Sequence, residues 1–277
     1  MLKKKWLLPA ASLVLAMSLT ACGQAKKDEA APTKDSGKEV TLKVGASAVP
    51  HAEILNYIKP KLKQEGVELD VKVFNDYVQP NIQLNEKQLD ANFFQHIPYL
   101  EQFNKDHNMN LVDVAKVHIE PMGVYTKKGE DIKKVKDGAT ISVPNDATNE
   151  GRALKLLEKA GVFQLDDTKG YKVTPSDIKE NPHHVQIKPL EAAMLPRTID
   201  DVDFAVINTN YALQANLNPT KDAVFIEGKD SPFANVLVTR QDNKDSEAIK
   251  KLVQELNSPD VKKYIEDHYK GAIVPAF

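Results

Sequence analysis

Residues 140–161 read TISVPNDATNEGRALKLLEKAG. Thr140 to Val143 is short, apolar and rich in β-branched residues, as a buried strand requires. Pro144 and Asn145 break that strand. Asp146 to Ala160 then follows helical spacing and stops at Gly161, the usual residue just past a helix C-terminus. A strand that runs directly into a helix is the repeating unit of an α/β fold.

The same alternation extends outward in both directions. Thr41 to Ala46 reads as a strand and His51 to Glu65 as a helix with Ile54, Leu55 and Ile58 on one face, bent at Pro60. Val67 to Phe74 alternates, with Val67, Leu69, Val71 and Val73 on one side. A helix follows Tyr77, a strand lies near Asp90 to Phe93, and another helix runs from Pro98 to His107. Leu111 to Ile119 and Gly123 to Lys127 are extended. Beyond Gly161, strands are expected at 185–188, 204–207, 223–226 and 235–239, with helices after Pro189 and Asn208. Two last helices cover Ser246 to Leu256 and Pro259 to His268. Strands separated by helices predict parallel α/β sheets. Residues 40 to 277 suffice for two such lobes, and a cleft between α/β lobes favours a small molecule.

The N-terminus has a different character. Lys3, Lys4 and Lys5 precede an apolar run from Trp6 to Leu19, which ends in Leu19-Thr20-Ala21-Cys22-Gly23. A positive head, a short apolar core and small residues at its end predict a secretory signal peptide over 1–22. Cys22 is the single cysteine, so no intramolecular disulfide can form. Leu-Thr-Ala-Cys resembles the bacterial lipobox, which implies lipid on Cys22 and an extracytoplasmic protein held at the membrane. Residues 23–39, GQAKKDEAAPTKDSGKE, are charged and small. They cannot bury enough apolar surface to offset ordering, and a tether is expected over 23–40.

Composition excludes several classes of function. The chain has 37 basic and 39 acidic residues, and removing the three leading lysines leaves 34 basic ones. The body is mildly acidic and has no basic stripe interleaved with aromatics, which argues against a nucleic-acid partner. HExxH, CxxC, a Walker loop, GxGxxG and GxSxG are all absent from the sequence. No enzyme activity, no cofactor and no catalytic residue is therefore expected. The histidines are His51, His96, His107, His118, His183, His184 and His268. None pairs with another at helical i, i+4 spacing, and no metal site is assigned from them.

Two segments carry candidate chemistry. In Pro144-Asn145-Asp146-Ala147-Thr148-Asn149-Glu150-Gly151-Arg152 a strand enters a helix, where free backbone N–H groups can hold an anion. Arg152 near that end opposes the helix dipole, which suggests a ligand carboxylate met with bidentate geometry. An exposed arginine paired with Glu150 or with a neighbouring lobe is the plain alternative. The second segment joins Phe74-Asn75-Asp76-Tyr77 to Asn92-Phe93-Phe94-Gln95-His96-Ile97-Pro98-Tyr99. Aromatic walls of this kind suit a thioether, although core packing explains any single phenylalanine equally well.

Together, FNDYVQPN (74–81), DANFFQHIPYL (90–100), VPNDATNEGRALKLLEKAG (143–161), DFAVINTNYA (203–212) and SPFANVLVTR (231–240) resemble the methionine-binding lipoproteins, a family related to the lipoprotein-28 group. The likeness runs from residue 41 to the C-terminus. It implies a two-lobed α/β fold of the periplasmic-binding-protein kind, with 41–123 and 234–277 in lobe 1 and 124–233 in lobe 2. Its crossing strands would lie near Met122 to Tyr125 and Phe233 to Val236. It implies L-methionine or a close analogue as ligand, handed to the permease and ATPase of an ABC importer by a monomer anchored to the membrane. Arg152 would pair with the carboxylate, helped by Asn149. Asn235 would hold the α-amino group and Asn208 would close the polar end, with the choice between Asn208 and Asn210 depending on where the strand stops. Tyr77, Phe94, His96 and Tyr99 would line the side-chain pocket. A methionine-containing dipeptide, a metal ion, or an adhesin role are the alternatives.

Overall fold

The computed structural model describes residues 39–228 and 230–277. The expected signal peptide, Cys22 and nearly all of the expected tether lie outside them. Val40, the last tether residue by sequence, already belongs to a strand.

The described residues open with β1 (Val40–Ser47), a turn over Ala48–Ala52, α1 (Glu53–Gln64), β2 (Val67–Phe74) and α2 (Gln79–Asn85). There follow β3 (Ala91–His96), α3 (Ile97–His107), β4 (Val112–Ile119), β5 (Gly123–Tyr125), β6 (Thr140–Pro144) and α4 (Ala147–Lys159). A small hairpin of β7 (Gln164–Leu165) and β8 (Ile178–Glu180) precedes β9 (Gln186–Leu190), α5 (Leu195–Thr198), β10 (Phe204–Ile207) and α6 (Thr209–Gln214). The rest is α7 (Pro219–Asp222), β11 (Phe225–Ile226), β12 (Ala234–Thr239), α8 (Glu247–Leu256), α9 (Pro259–Tyr269) and β13 (Val274–Pro275).

These strands form two main sheets, one in each lobe of an α/β fold. The first runs β13-β4-β12-β3-β1-β2 and the second β11-β5-β10-β6-β9. Sequence alternation predicts parallel sheets, but both are mixed. In the first, β1 is parallel to β2 and β3, while β12 is antiparallel to β3 and β4. In the second, β6 is parallel to β9 and β10, while β5 is antiparallel to β10 and β11. Strand β13, antiparallel to β4, follows α9 within the first sheet, whereas β5 and β12 are entered as the chain changes sheets, from β4 and from β11. Such strands arrive from the other sheet and need no right-handed helical crossover.

Each sheet buries its own helices. Ile54, Leu55, Ile58 and Leu62 of α1 join Ile249, Leu252 and Leu256 of α8 and Val261 and Ile265 of α9 in the first core. Leu154, Leu156 and Leu157 of α4 pack on Ile141, Val143, Phe204 and Val206 in the second. Pro60 does not end α1: it sits on the exposed side, where the carbonyl it frees faces water. The alternation of β2 buries Val67 and Leu69 but fades along this edge strand, leaving Val73 55% exposed.

Candidate functional site

One cavity gathers Tyr77, Phe94, His96, Tyr99, Asn149, Arg152, Asn208 and Asn235, and adds Gln95, Glu120, Thr209 and Asn210. All eight residues expected from the sequence therefore border one space. Phe94 and His96 reach the cavity from the end of β3, where its pairing with β12 shifts register opposite Val236 and Leu237. Asn149 and Arg152 stand three apart near the start of α4, on one side of the helix. Asn208 caps β10 in extended conformation and Asn210 lies in the first turn of α6, so both reach the cavity.

Asn149 is a hub rather than a free arm. Its Nδ2 donates to both carboxylate oxygens of Asp146 at 3.0 Å. Its Oδ1 accepts from Asn208 Nδ2 at 2.9 Å and lies 3.0 Å from His96 Nε2. His96 Nδ1 accepts from the Tyr99 backbone N–H, which leaves the ring proton on Nε2, pointing at Asn149. Burial, aided by the positive charge of Arg152, pushes His96 down to about 3, so it is neutral at pH 7. The Asn149 amide is thus held by Asp146 and in turn orients His96 and Asn208. The helix N-terminus is likewise occupied, because Asp146 Oδ1 caps the Asn149 N–H. An acid there repels an anion, which leaves the side chain of Arg152 as the cation at this end of the cavity.

Arg152 is 2% exposed. It pairs not with Glu150 but with Glu227: Nε donates to Oε1 at 3.1 Å and Nη2 to Oε2 at 2.5 Å. Nη2 also donates to the Glu120 carbonyl at 2.7 Å, and the guanidinium lies 4.2 Å from the centre of the Phe233 ring. The bidentate edge is thus taken by protein, and none of these bonds uses Nη1. Sequence reasoning missed Glu227, which lies in an irregular stretch far from Arg152 in the chain and has no local pattern to mark it.

The polar end contains two buried atoms without a hydrogen-bond partner, Asn208 Oδ1 and Asn210 Nδ2. Buried amides are rarely left so, and their convergence on one cavity marks a place for a polar ligand. Asn208 offers an acceptor and Asn210 a donor. Glu120 was also missed, although an acid in the apolar run HIEPMG is a readable signal. Its Oε2 accepts from the Asn210 N–H at 3.0 Å, and its Oε1 lies 2.8 Å from His118 Nε2 and 3.3 Å from His51 Nε2.

At the other end the walls are aromatic. Tyr77 stands 5.9 Å from Phe94, 5.8 Å from Tyr99 and 5.0 Å from Tyr211, centre to centre. The Tyr99 hydroxyl donates to the Tyr77 carbonyl at 2.9 Å, so the ring edges are held in place. Among the histidines, only His96 borders the cavity; His51 and His118 lie behind it, and His107, His184 and His268 are exposed. His51, His118 and Glu120 are the one group among the described residues with metal-ligand spacing, their atoms within 4.8 Å of one another. Both Nε2 atoms there face the Glu120 carboxylate, which hydrogen bonds account for without an ion.

The D-methionine-binding lipoprotein MetQ of Salmonella typhimurium is 41% identical over 95% of this chain and 94% of its own length. The structure of a nutrient-binding protein from Burkholderia cenocepacia bound to methionine is 46% identical, covers 85% of this chain and 100% of that one, and superposes with a TM-score of 0.83. The structure of an ABC transporter periplasmic substrate-binding protein from Coxiella burnetii is 40% identical, covers 85% of this chain and 100% of that one, and has a TM-score of 0.81. Residues 42–277 match the NlpA lipoprotein family, and the chain belongs to it.

Proposed function

We propose that this protein captures methionine between its lobes and delivers it to an ABC importer. The observation that carries this reading is the division of one cavity into a charged amide end and an aromatic end. Arg152 Nη1 and Asn210 Nδ2 are donors for a carboxylate, and Asn208 Oδ1 is an acceptor for an ammonium group. Tyr77, Phe94 and Tyr99 form an apolar slot whose ring edges suit a thioether sulfur. A zwitterion with an unbranched apolar side chain satisfies both ends at once.

The lobes are read as 41–123 with 234–277, and 124–233. Lipid on Cys22 would hold a monomeric receptor at the extracytoplasmic face. Among the described residues no helix is long and apolar enough to cross a membrane, so translocation and energy would come from partner chains. Binding without turnover is the activity assigned here, since nothing in the cavity pairs a nucleophile with a base.

The test is calorimetric titration of the detergent-solubilised full chain, unfolded and refolded to strip carried ligand, with L-methionine, D-methionine, a methionyl dipeptide and zinc in parallel. Saturable one-to-one heat with a methionine stereoisomer, lost in Arg152→Ala while the fold survives, supports the reading. Heat with zinc alone, or with none of the four, overturns it.

A further inference from the structure

Asn81 of α2 and Asn92 and Gln95 of β3 are all buried. Of the three, Gln95 alone borders the cavity. Asn92 Nδ2 donates to the Pro80 carbonyl at 3.1 Å and to Asn81 Oδ1 at 2.8 Å. Gln95 Nε2 donates to Asn81 Oδ1 at 2.6 Å and to Asn92 Oδ1 at 2.9 Å. Asn81 Nδ2 returns a hydrogen to Gln95 Oε1 at 2.9 Å.

Every amide in this circuit takes its direction from one fixed acceptor. The Pro80 carbonyl cannot donate, so Asn92 turns Nδ2 toward it and Oδ1 toward Gln95. Gln95 must then offer Nε2 to Asn92, which leaves its Oε1 to accept from Asn81. Reversing any one amide sets oxygen against oxygen and nitrogen against nitrogen. None of these bonds involves a titratable group. Gln95 thus spends both amide hydrogens on protein and meets the cavity as wall, not as a donor.

Burying three amides is costly, and apolar side chains of similar shape could join helix to strand without that cost. What the amides add is one register. Otherwise α2 meets the sheet through Leu84, in an apolar cluster with Val236 and Val238, and such contacts have no direction. Tyr77 stands just before α2. There Asp76 Oδ1 accepts from the N–H groups of Val78 and Gln79 at 2.8 and 2.7 Å, so that loop and helix form one piece. Phe94 is the chain neighbour of Gln95 on β3. The circuit therefore ties the piece that carries Tyr77 to the strand that carries Phe94, entirely on the side of the first sheet.

We propose that Asn81, Asn92 and Gln95 are positioning residues: their closed amide circuit sets Tyr77 against Phe94 and so fixes the size of side chain the aromatic slot takes. This inference rests on the methionine reading above and adds a specificity device to it.

The test is titration of the full chain with methionine and with ethionine, which is one methylene longer. Unsubstituted protein must bind methionine first; failure there removes the functional reading, a result distinct from those below. Asn92 does not border the cavity, so Asn92→Leu acts on ligand only through other residues. Counted on folded protein, it should bind methionine about tenfold more weakly, because a wall that must be ordered on binding costs affinity. In a Tyr77→Ala background the same change should cost no more than about twofold, since the residue it positions is gone. Ethionine should lose less than methionine, because a loosened slot admits the extra methylene. Equal losses in the two backgrounds or for the two ligands, or unchanged affinity in Asn92→Leu, overturn the inference. Should Asn92→Leu fail to fold, Asn81→Ser, which opens the circuit with less bulk, is read by the same criteria. NMR of the ligand-free unsubstituted protein should show slow hydrogen exchange at the Asn92 and Gln95 side-chain amides, and exchange as fast as at an exposed amide overturns the inference without any variant.

Discussion

The Tyr77 hydroxyl donates to Asn210 Oδ1 at 2.6 Å, across 133 residues of sequence and between the two sheets. Tyr211 returns the contact, its hydroxyl donating to the Asn75 carbonyl at 3.1 Å. His96 on Asn149, Arg152 on the Glu120 carbonyl and the Asn210 N–H on Glu120 Oε2 join the same two halves around the cavity. If the lobes close on the proposed ligand, these residues would couple closure to capture, because a ligand shifts such an equilibrium only through its preference for the closed form.

Tyr77→Phe removes one bridge and keeps the aromatic wall. A single hydrogen bond between neutral groups is worth about 1 kcal/mol net, so methionine affinity should fall about fivefold with little change in thermal stability. Titration beside a melting curve measures both. A fall in Tm with unchanged affinity would assign the hydroxyl to folding alone.

Glu227→Gln keeps the shape of the partner of Arg152 and removes its charge. Arg152 is buried, and losing the anion should lower stability of the ligand-free protein by about 2 kcal/mol. A ligand carboxylate would then supply the missing charge, so the rise in Tm on adding methionine should be larger than in the unsubstituted protein. Equal ligand-induced shifts would show that Glu227 and the ligand do not share Arg152.

Acid should weaken the fold well before the carboxylates as a class titrate. Burial pushes His51 down to about 4 and His96 and His118 down to about 3, against 6.5 in the unfolded chain. Folded-state values below the unfolded one mean that the unfolded chain binds more protons in between. Stability is therefore full above pH 6.5 and falls as pH drops toward 3, by about 1.4 kcal/mol per pH unit for each histidine. Burial raises Glu120 instead, and its contribution runs the other way. Urea melts between pH 7.5 and 4.5 check the slope, and His118→Asn should flatten it. A flat profile would contradict neutral buried histidines.

Gly151→Ala should damage the fold next to the site. A Cβ there would collide with the Tyr171 carbonyl, which belongs to backbone and has no free rotation to yield. We expect a loss of about 3 kcal/mol or more, visible in thermal melts, and weaker ligand binding because Arg152 is the next residue. An unchanged Tm would mean that the 167–172 segment moves away at no cost.

Some of this protein was legible one segment at a time. Strand 140–144 and the helix after it, the buried face of α1 and the aromatic cluster from Phe93 to Tyr99 follow from periodicity and turn residues, which act between near neighbours. The family likeness, carried by long motifs in order, named eight residues that do share one cavity. Both Asn208 and Asn210 reach it because β10 stops at Ile207, a boundary that periodicity places only loosely.

Tertiary structure alone decided who holds whom. Glu227 on Arg152 lies 75 residues away, and His51 on Asn235 lies 184 away. Neither pair has a local signature, because a hydrogen bond depends on where the chain returns and not on spacing. Sheet direction belongs to the same class, since β5 and β12 read as ordinary strands and become antiparallel only because the chain crosses between lobes there. Donor and acceptor direction comes last of all: an asparagine in a sequence is both, and only its buried neighbours choose which half faces the ligand.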